Sequence, residues 1–295
     1  MNEFQRRKTK NQIIVVILLV ILVVYFFPIY WMFSTATKSK AEAFSFPPKW
    51  IWKPRLDNFR DIFITGTGGA LGKVKGIEMK PKPSAFSRQF TNSIIVSFTS
   101  TILATFLGAL SGYIFSRMPV RGKDDLLFVI LSSRMLPPVV IAIPVVIMYR
   151  ALGLFDTRGG LIIMYTAFNL AFSVWMMISF VDDIPKEYEE AALVDGYSRF
   201  QAFFKFVFPE MRVGMAATAI FNLIMTWNEF TFALLLTGEN ARTAIPGIAQ
   251  SLGTAGVNWG QIAAGSFLMV IPVVIFTFLL GDNLIRGFTF GAIKE

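Results

Sequence analysis

The first apolar run, Ile13 to Phe33, carries no charged residue. At ~1.5 Å per residue it reaches about 30 Å, the thickness of a bilayer's hydrocarbon core. It predicts a spanning helix. Five more runs follow, at about Thr91–Phe115, Leu126–Tyr149, Gly160–Val181, Val213–Leu236 and Ile262–Ile285. The pattern predicts an all-α integral membrane protein with six transmembrane helices and both ends on one side. Arg6, Arg7, Lys8 and Lys10 before the first run, and Ala41-Glu42-Ala43 after it, imitate a secretory signal. The run is longer than the roughly 7–15-residue core of a cleaved signal, so it reads as an uncleaved first span.

Positive charge sets the orientation. With the N-terminus inside, the basic residues at 6, 7, 8 and 10, then Arg117, Arg121, Lys123, Lys186, Arg199, Lys205, Arg212, Arg286 and Lys294 all face the cytoplasm. The two short outer loops hold only Arg150, Arg158 and Arg242. The long outer segment after span one is itself basic, but it is of a length at which the rule weakens. An N-in, C-in topology follows, with a cytoplasmic tail at 1–12, the first span at 13–33, an extracytoplasmic segment at 34–85, a membrane core at 86–286 and a cytoplasmic tail at 287–295. Within the outer segment, Phe46 to Trp52 reads as a compact element against the interface. Gly66 to Pro83 reads as a glycine- and lysine-rich loop.

Composition agrees and removes several chemistries. Of 295 residues, 54% are hydrophobic and 16% charged, against roughly 45–50% and about 25% in soluble domains. A separate globular catalytic domain has no room. The net charge of +9 on so apolar a chain serves orientation and attraction to lipid headgroups rather than nucleic acid, because no basic stripe on a soluble fold accompanies it. With no cysteine and no histidine, serine–histidine, cysteine–histidine and thiolate–zinc chemistry are excluded. The run TGTGGALGK at Thr65–Lys73 imitates a phosphate loop, but Thr67 stands where the first glycine is needed and Val74 where a Ser or Thr should follow the lysine. No cofactor or metal is expected on this chain, and nucleotide hydrolysis is expected elsewhere.

Polar groups inside spans are costly and therefore informative. Arg134 lies in the third run, Asn169 in the fourth, Asn222, Asn228 and Glu229 in the fifth, and Asp282 near the inner end of the sixth. Each of Arg134, Asn169, Asn222, Asn228 and Glu229 either bonds helix to helix or lines a polar passage. Pro137, Pro138 and Pro144 in the third run and Pro272 in the sixth fit helices that bend around a pathway, and fit static kinks equally.

The segment from Asp182 to Arg212, DDIPKEYEEAALVDGYSRFQAFFKFVFPEMR, is too apolar to float and too charged to span. Pro185 suits a first helical turn, with Glu187, Glu189 and Glu190 near the positive end of the helix dipole. Gly196 supplies a left-handed end. Ser198 and Gln201 then form a capping box, Phe200, Phe203, Phe204 and Val207 fall on one apolar face, and Pro209 punctuates the end. A helix–turn–helix results, and its excess of acids argues for a protein partner rather than lipid.

Glu190-Ala191-Ala192, Gly196 and Pro209 stand at the positions of the EAA loop, and the segment resembles that loop in the permease subunits of binding-protein-dependent ABC importers. Phe206 and Phe208 replace the motif's isoleucine and leucine, and the insert at 66–83 is foreign to the pattern. The EEAALVDG form, the WNEF of the fifth run, NWGQIAAGSFLMVIPV and the closing GFTFGAIKE are similar to the carbohydrate branch, in particular the smaller maltose-type permease. The resemblance covers about Phe86 to Glu295. It implies the type I ABC importer fold in a bacterial or archaeal cytoplasmic membrane. Its implied partners are a second, different permease, two ATPase subunits that carry ATP and magnesium, an extracytoplasmic solute-binding protein, and lipid. The resemblance also implies that the transported solute is a sugar, or, within the same class, a polyol, glycerol phosphate or other small solute. A self-contained secondary transporter lacks support, since no inverted repeat is evident. By the same resemblance, ATPase coupling falls to Glu189, Glu190, Ala191, Ala192, Asp195, Gly196, Phe200, Phe203, Phe204 and Pro209, and the loop Thr237–Gly260 meets the binding protein.

Overall fold

The structure, a computed structural model, describes residues 3–64, 84–250 and 258–290. The Thr65–Lys73 run, the insert at 66–83, the middle of the Thr237–Gly260 loop and the last five residues lie outside the described residues, as does the side chain of Asp282. The chain divides into two compact units, Met1–Phe86 with Ile248–Ile271, and Ser87–Gly247 with Pro272–Glu295.

Every regular element among the described residues is a helix. In order they form α1 (Glu3–Thr37), α2 (Lys40–Ala43), α3 (Asp57–Ile64), α4 (Phe86–Arg117), α5 (Lys123–Ser133), α6 (Pro138–Ala151) and α7 (Arg158–Asp182). There follow α8 (Glu187–Val194), α9 (Arg199–Ala202), a π turn (Phe203–Val207), α10 (Phe208–Glu210), α11 (Arg212–Trp227), α12 (Thr231–Leu236), α13 (Ala244–Gln250) and α14 (Trp259–Phe290). Among the described residues, four stretches are single helices long and apolar enough to cross a membrane: Lys10–Thr37, Phe86–Arg117, Arg158–Asp182 and Trp259–Leu279. Two more candidates are bent pairs, α5 with α6 at 92° and Arg199–Glu210 with α11 at 72°.

In the first unit, α1 leaves the side chains of its apolar run exposed, as a lipid-facing helix does. Its C-terminal end is tied down. The Asn58 side chain donates to the carbonyls of Ala36 (2.8 Å) and Lys38 (2.9 Å), satisfying acceptors that the helix leaves free. Trp52 donates to Thr37 Oγ1 at 3.0 Å, and the Lys38 ammonium lies over the rings of Trp52 (4.7 Å) and Trp31 (5.3 Å). The Phe46–Trp52 stretch thus folds onto the end of α1 through Trp50 and Trp52, while Phe46 stays exposed.

In the second unit, α4, α7 and α11 form the core. A Cβ on Gly108 would lie 2.4 Å from Ser173 Cβ, so only glycine lets α4 approach α7 this closely, and Gly112 plays the same part against Met177. Polar side chains join the three helices. Asn222 donates to Ser173 Oγ (2.8 Å) and Thr105 Oγ1 (3.1 Å), and Thr101 meets Thr226.

Two of the expected helices are broken, and others run past their apolar stretches. The third run, expected as one helix over 126–149, stops at Ser133 and restarts at Pro138. Pro137 and Pro138 explain this: a residue before proline avoids the α region, and proline itself suits a first helical turn. Pro144, by contrast, sits inside α6. The fifth run, expected to continue to Leu236, breaks after Trp227, because the Asn228 side chain turns back to the Ile224 carbonyl (2.8 Å) and Glu229 caps a new helix. The sixth runs longer than its apolar stretch, from Trp259 to Phe290.

Candidate functional site

The loop between α7 and α11 is built largely as its sequence predicts. Gly196 has a left-handed backbone (φ 87°), and the amides of Gly196 and Tyr197 donate to the carbonyls of Leu193 (3.1 Å) and Ala192 (3.0 Å). This is the Schellman closure, which satisfies carbonyls that the end of α8 would otherwise leave open. The reciprocal capping box of Ser198 and Gln201 starts α9 at once. Two details differ. Pro185 lies outside α8, which begins at Glu187 with Lys186 as its cap residue. Pro209 does not end the second helix but lies inside its last turn, α10. A proline cannot donate to the carbonyl four residues back and its ring crowds that group. The π turn at Phe203–Val207 widens the ladder just upstream of it, and the Phe208 amide donates to Phe203.

The loop has two faces. Phe203, Val207 and Met211 are buried in a cluster with Ala109 and Tyr113 of α4 and Met177 and Val181 of α7, and Phe204 and Phe208 pack against it. On the other face, Glu190, Ala191 and Asp195 are exposed, Val194 is 87% exposed and Phe200 71%. The predicted coupling residues therefore separate. Glu190, Ala191, Asp195 and Phe200 make an accessible ridge, which Val194, outside the predicted set, completes, whereas Ala192, Phe203 and Phe204 seat the loop on its own chain.

Glu189 belongs to the seated set. Only 6% exposed, its carboxylate accepts from Tyr113 Oη at 2.5 Å and lies 3.7 Å from Arg117 Nε. Arg117 also donates to the carbonyls of Val181 (2.8 Å) and Ile184, and Ser116 donates to Asp182. A buried carboxylate needs both charge and hydrogen-bond partners, and α4 provides them one helical turn apart. In the sequence Glu189 stands with Glu187 and Glu190 as one of several acids near a helix start, and the signal that sets it apart is the Tyr113/Arg117 pair at i and i+4.

Of the polar residues within the apolar runs, Asn169 and Asn222 are buried between helices, with Asn222 bonded as described and Asn169 donating to the Tyr165 carbonyl. Asn222 thus joins α11 to α4 and α7, whereas the Asn169 bond stays within α7. Arg134 ends α5, donates to the Phe168 carbonyl (3.2 Å) and lies over the Phe168 ring at 4.9 Å. Glu229 accepts from Tyr165 Oη (2.7 Å) and from the amides of Phe232 (2.9 Å) and Ala233 (3.1 Å), so its charge sits at the positive end of α12. Asn228, at the break itself, is exposed.

Residues 104–289 match the family described as binding-protein-dependent transport system inner membrane component. The chain belongs to this family. As a member it is a multi-pass inner-membrane transport component. Relatives agree along nearly its whole length. The probable ABC transporter permease protein y4oR of Sinorhizobium fredii is 34% identical over 269 residues, 91% of this chain and 90% of that protein. The trehalose transport system permease protein SugB of Mycobacterium tuberculosis is 31% identical over 272 residues, 90% of this chain and 92% of that one. The crystal structure of a bacterial ABC transporter involved in the import of the acidic polysaccharide alginate shares the fold, with a TM-score of 0.69 at 20% identity over 93% of this chain and 96% of that one.

One further feature of this transport component escaped sequence reasoning. Asp156, between α6 and α7, binds the segment after α12: its carboxylate accepts from the amides of Gly238, Asn240 and Ala241. Burial pushes its pKa up, but the bonds from Ala241, Asn240 and Gly238 outweigh burial and leave it below the ordinary carboxylate value.

Proposed function

We propose that this chain forms half of the translocation pathway of an ATP-driven sugar importer and that its Asp182–Arg212 loop couples it to a separate ATPase. The observation that carries this reading is the two-faced loop. An anchored helix pair that presents Glu190, Val194 and Phe200 to solvent is a surface formed for a protein partner. The family's dependence on a binding protein and the trehalose relative support the sugar assignment. The charge distribution supports an N-in, C-in arrangement of six spans, with α5–α6 counted as one bent span and α11 continued by α12, rather than Arg199–Glu210 with α11, as another. The loop then lies in the cytoplasm, beside the ATPases, and the 237–260 segment lies outside, where the solute-binding protein docks. ATP and magnesium stay on the ATPases, and a second, different permease completes the pathway. Asn228, open at the break in the fifth run, is the best-placed side chain to meet the solute.

The test is purification of the complex through a tag on this chain, followed by reconstitution. Two ATPase copies and a second permease should copurify. Val194→Asp should abolish solute uptake and reduce ATPase recovery while leaving the melting temperature of the permease pair unchanged. Uptake at the wild-type rate by that variant would sink the coupling assignment.

A further inference from the structure

Among the described residues, Asp156 is the one non-glycine residue with a left-handed backbone (φ 56°). Its carboxylate is correspondingly occupied. Oδ1 accepts from the amides of Gly238 (2.9 Å), Ala241 (2.9 Å) and Asn240 (3.1 Å), and Oδ2 from the amide and the side-chain nitrogen of Asn240 (both 3.1 Å). Its own amide donates to the Leu236 carbonyl at 2.9 Å. A Cβ on residue 238 would stand 2.9 Å from Oδ2, so the segment closes around the carboxylate only with glycine there. The same segment is held from its other side. Asn92 of α4 donates to the carbonyls of Asn240 (2.8 Å) and Arg242 (3.0 Å), and is itself oriented by Arg158, whose Nε donates to Asn92 Oδ1 at 2.7 Å.

Residues 237–243 have no helix or strand to satisfy their backbone, and these two side chains take the place of a ladder. Glu239 and Asn240 stay exposed at the tip. Clamping a tip that could have been left loose is the arrangement expected where a partner must be met in one shape, since ordering a loop on binding costs affinity. We propose that Asp156 is a positioning residue for docking: it holds the 237–241 segment in the conformation that receives the solute-binding protein. The proposal rests on the reading above that places this segment outside the membrane. Asp156 itself touches neither the binding protein nor the solute. Its effect runs through the amides it collects.

The test uses the complete importer in lipid nanodiscs, with ATPase rate titrated against the importer's own solute-loaded binding protein. Losing charge-assisted bonds to backbone amides corresponds to about tenfold or more in affinity. Asp156→Ala should therefore raise the half-saturating concentration of binding protein by about tenfold or more and leave the maximal rate within about twofold. Asp156→Asn should stay within about threefold, because its Oδ1 can still accept the three amides and asparagine tolerates the left-handed backbone. Gly238→Ala, which drives a methyl into the carboxylate, should behave like Asp156→Ala with residue 156 itself unsubstituted. An unchanged half-saturation in either Asp156→Ala or Gly238→Ala overturns the proposal. So does a fall confined to the maximal rate, or failure of both variants to assemble, since each assigns Asp156 to the scaffold alone. A wild-type importer that ignores the binding protein at every concentration would instead overturn the outer placement of the segment.

Discussion

Tyr113 and Glu189, 76 positions apart, are joined by a 2.5 Å hydrogen bond between two buried side chains, one near the C-terminal end of α4 and the other in the loop that follows α7. The bond ties α8 to α4. Glu189 is next to Glu190, yet the two do opposite work: one carboxylate is spent inside the subunit and the other is presented outward.

Removing the hydroxyl leaves a buried carboxylate oxygen short of a donor, which costs about 1–3 kcal/mol. Tyr113→Phe should lower the melting temperature of the detergent-purified permease pair by several degrees. Tyr188→Phe, at an exposed position in the same loop, should not. Equal melting temperatures for the two variants would show that the bond contributes nothing to the seat of the loop.

Much of this arrangement is legible in the chain, and what is not has a common cause. Apolar runs announce spans because hydropathy is summed over many residues, and Gly196, Ser198 and Gln201 announce their turn because cap chemistry is local. Residues that act at a distance in sequence give no such signal. Glu189 looks like Glu190 until Tyr113 and Arg117 are beside it, and Asp156 looks like any loop acid until the 238–241 amides arrive. The break at Asn228 is intermediate. Its residues are conspicuous inside an apolar run, but polarity alone leaves open whether they join helices or line a passage, and that Glu229 caps the helix it precedes shows only in the fold.

The contact between α4 and α7 gives a packing prediction. Gly108 leaves no space for a side chain, since a methyl there would stand 2.4–3.2 Å from the backbone and Cβ atoms of Ser173. Overpacking of this kind costs about 1–3 kcal/mol, and more where backbone must move. Gly108→Val should reduce the yield of folded protein and separate α4 from α7, measured as loss of a disulfide engineered between the two helices. Gly159, which has open space around it, should accept alanine with no change in yield.

The Asp156 clamp carries a pH dependence. Its carboxyl has a folded pKa below the unfolded value, so the ionised form stabilises the folded loop. That stabilisation is present above the unfolded value, about 3.9, and is lost as pH falls through the lower folded value. Hydrogen exchange at the amides of Gly238, Asn240 and Ala241 should therefore stay slow through neutral and mildly acidic pH. Below the ordinary carboxylate range their opening should become more frequent, after correction for intrinsic exchange. In Asp156→Asn the opening frequency should show no such step, and a step that persists in that variant would move the titration to another group.

Asn228 and Glu229 separate structure from transport at adjacent positions. Glu229 accepts three donors, from Tyr165, Phe232 and Ala233, and removing it strips α12 of its cap and leaves the Tyr165 hydroxyl without its acceptor. Glu229→Ala should cost a few kcal/mol, at about 1 or more per lost bond, and appear as a lowered melting temperature. Asn228 makes one bond from its side chain, to the carbonyl one turn back, and is otherwise open. Asn228→Ala should melt within about 1–2 °C of wild type, since exposed substitutions fall within about ±0.5 kcal/mol. If the side chain faces the solute, the same variant should raise the KM for uptake several-fold at unchanged ATPase coupling. Uptake kinetics identical to wild type would remove Asn228 from the pathway and leave the break in this run as a purely structural device.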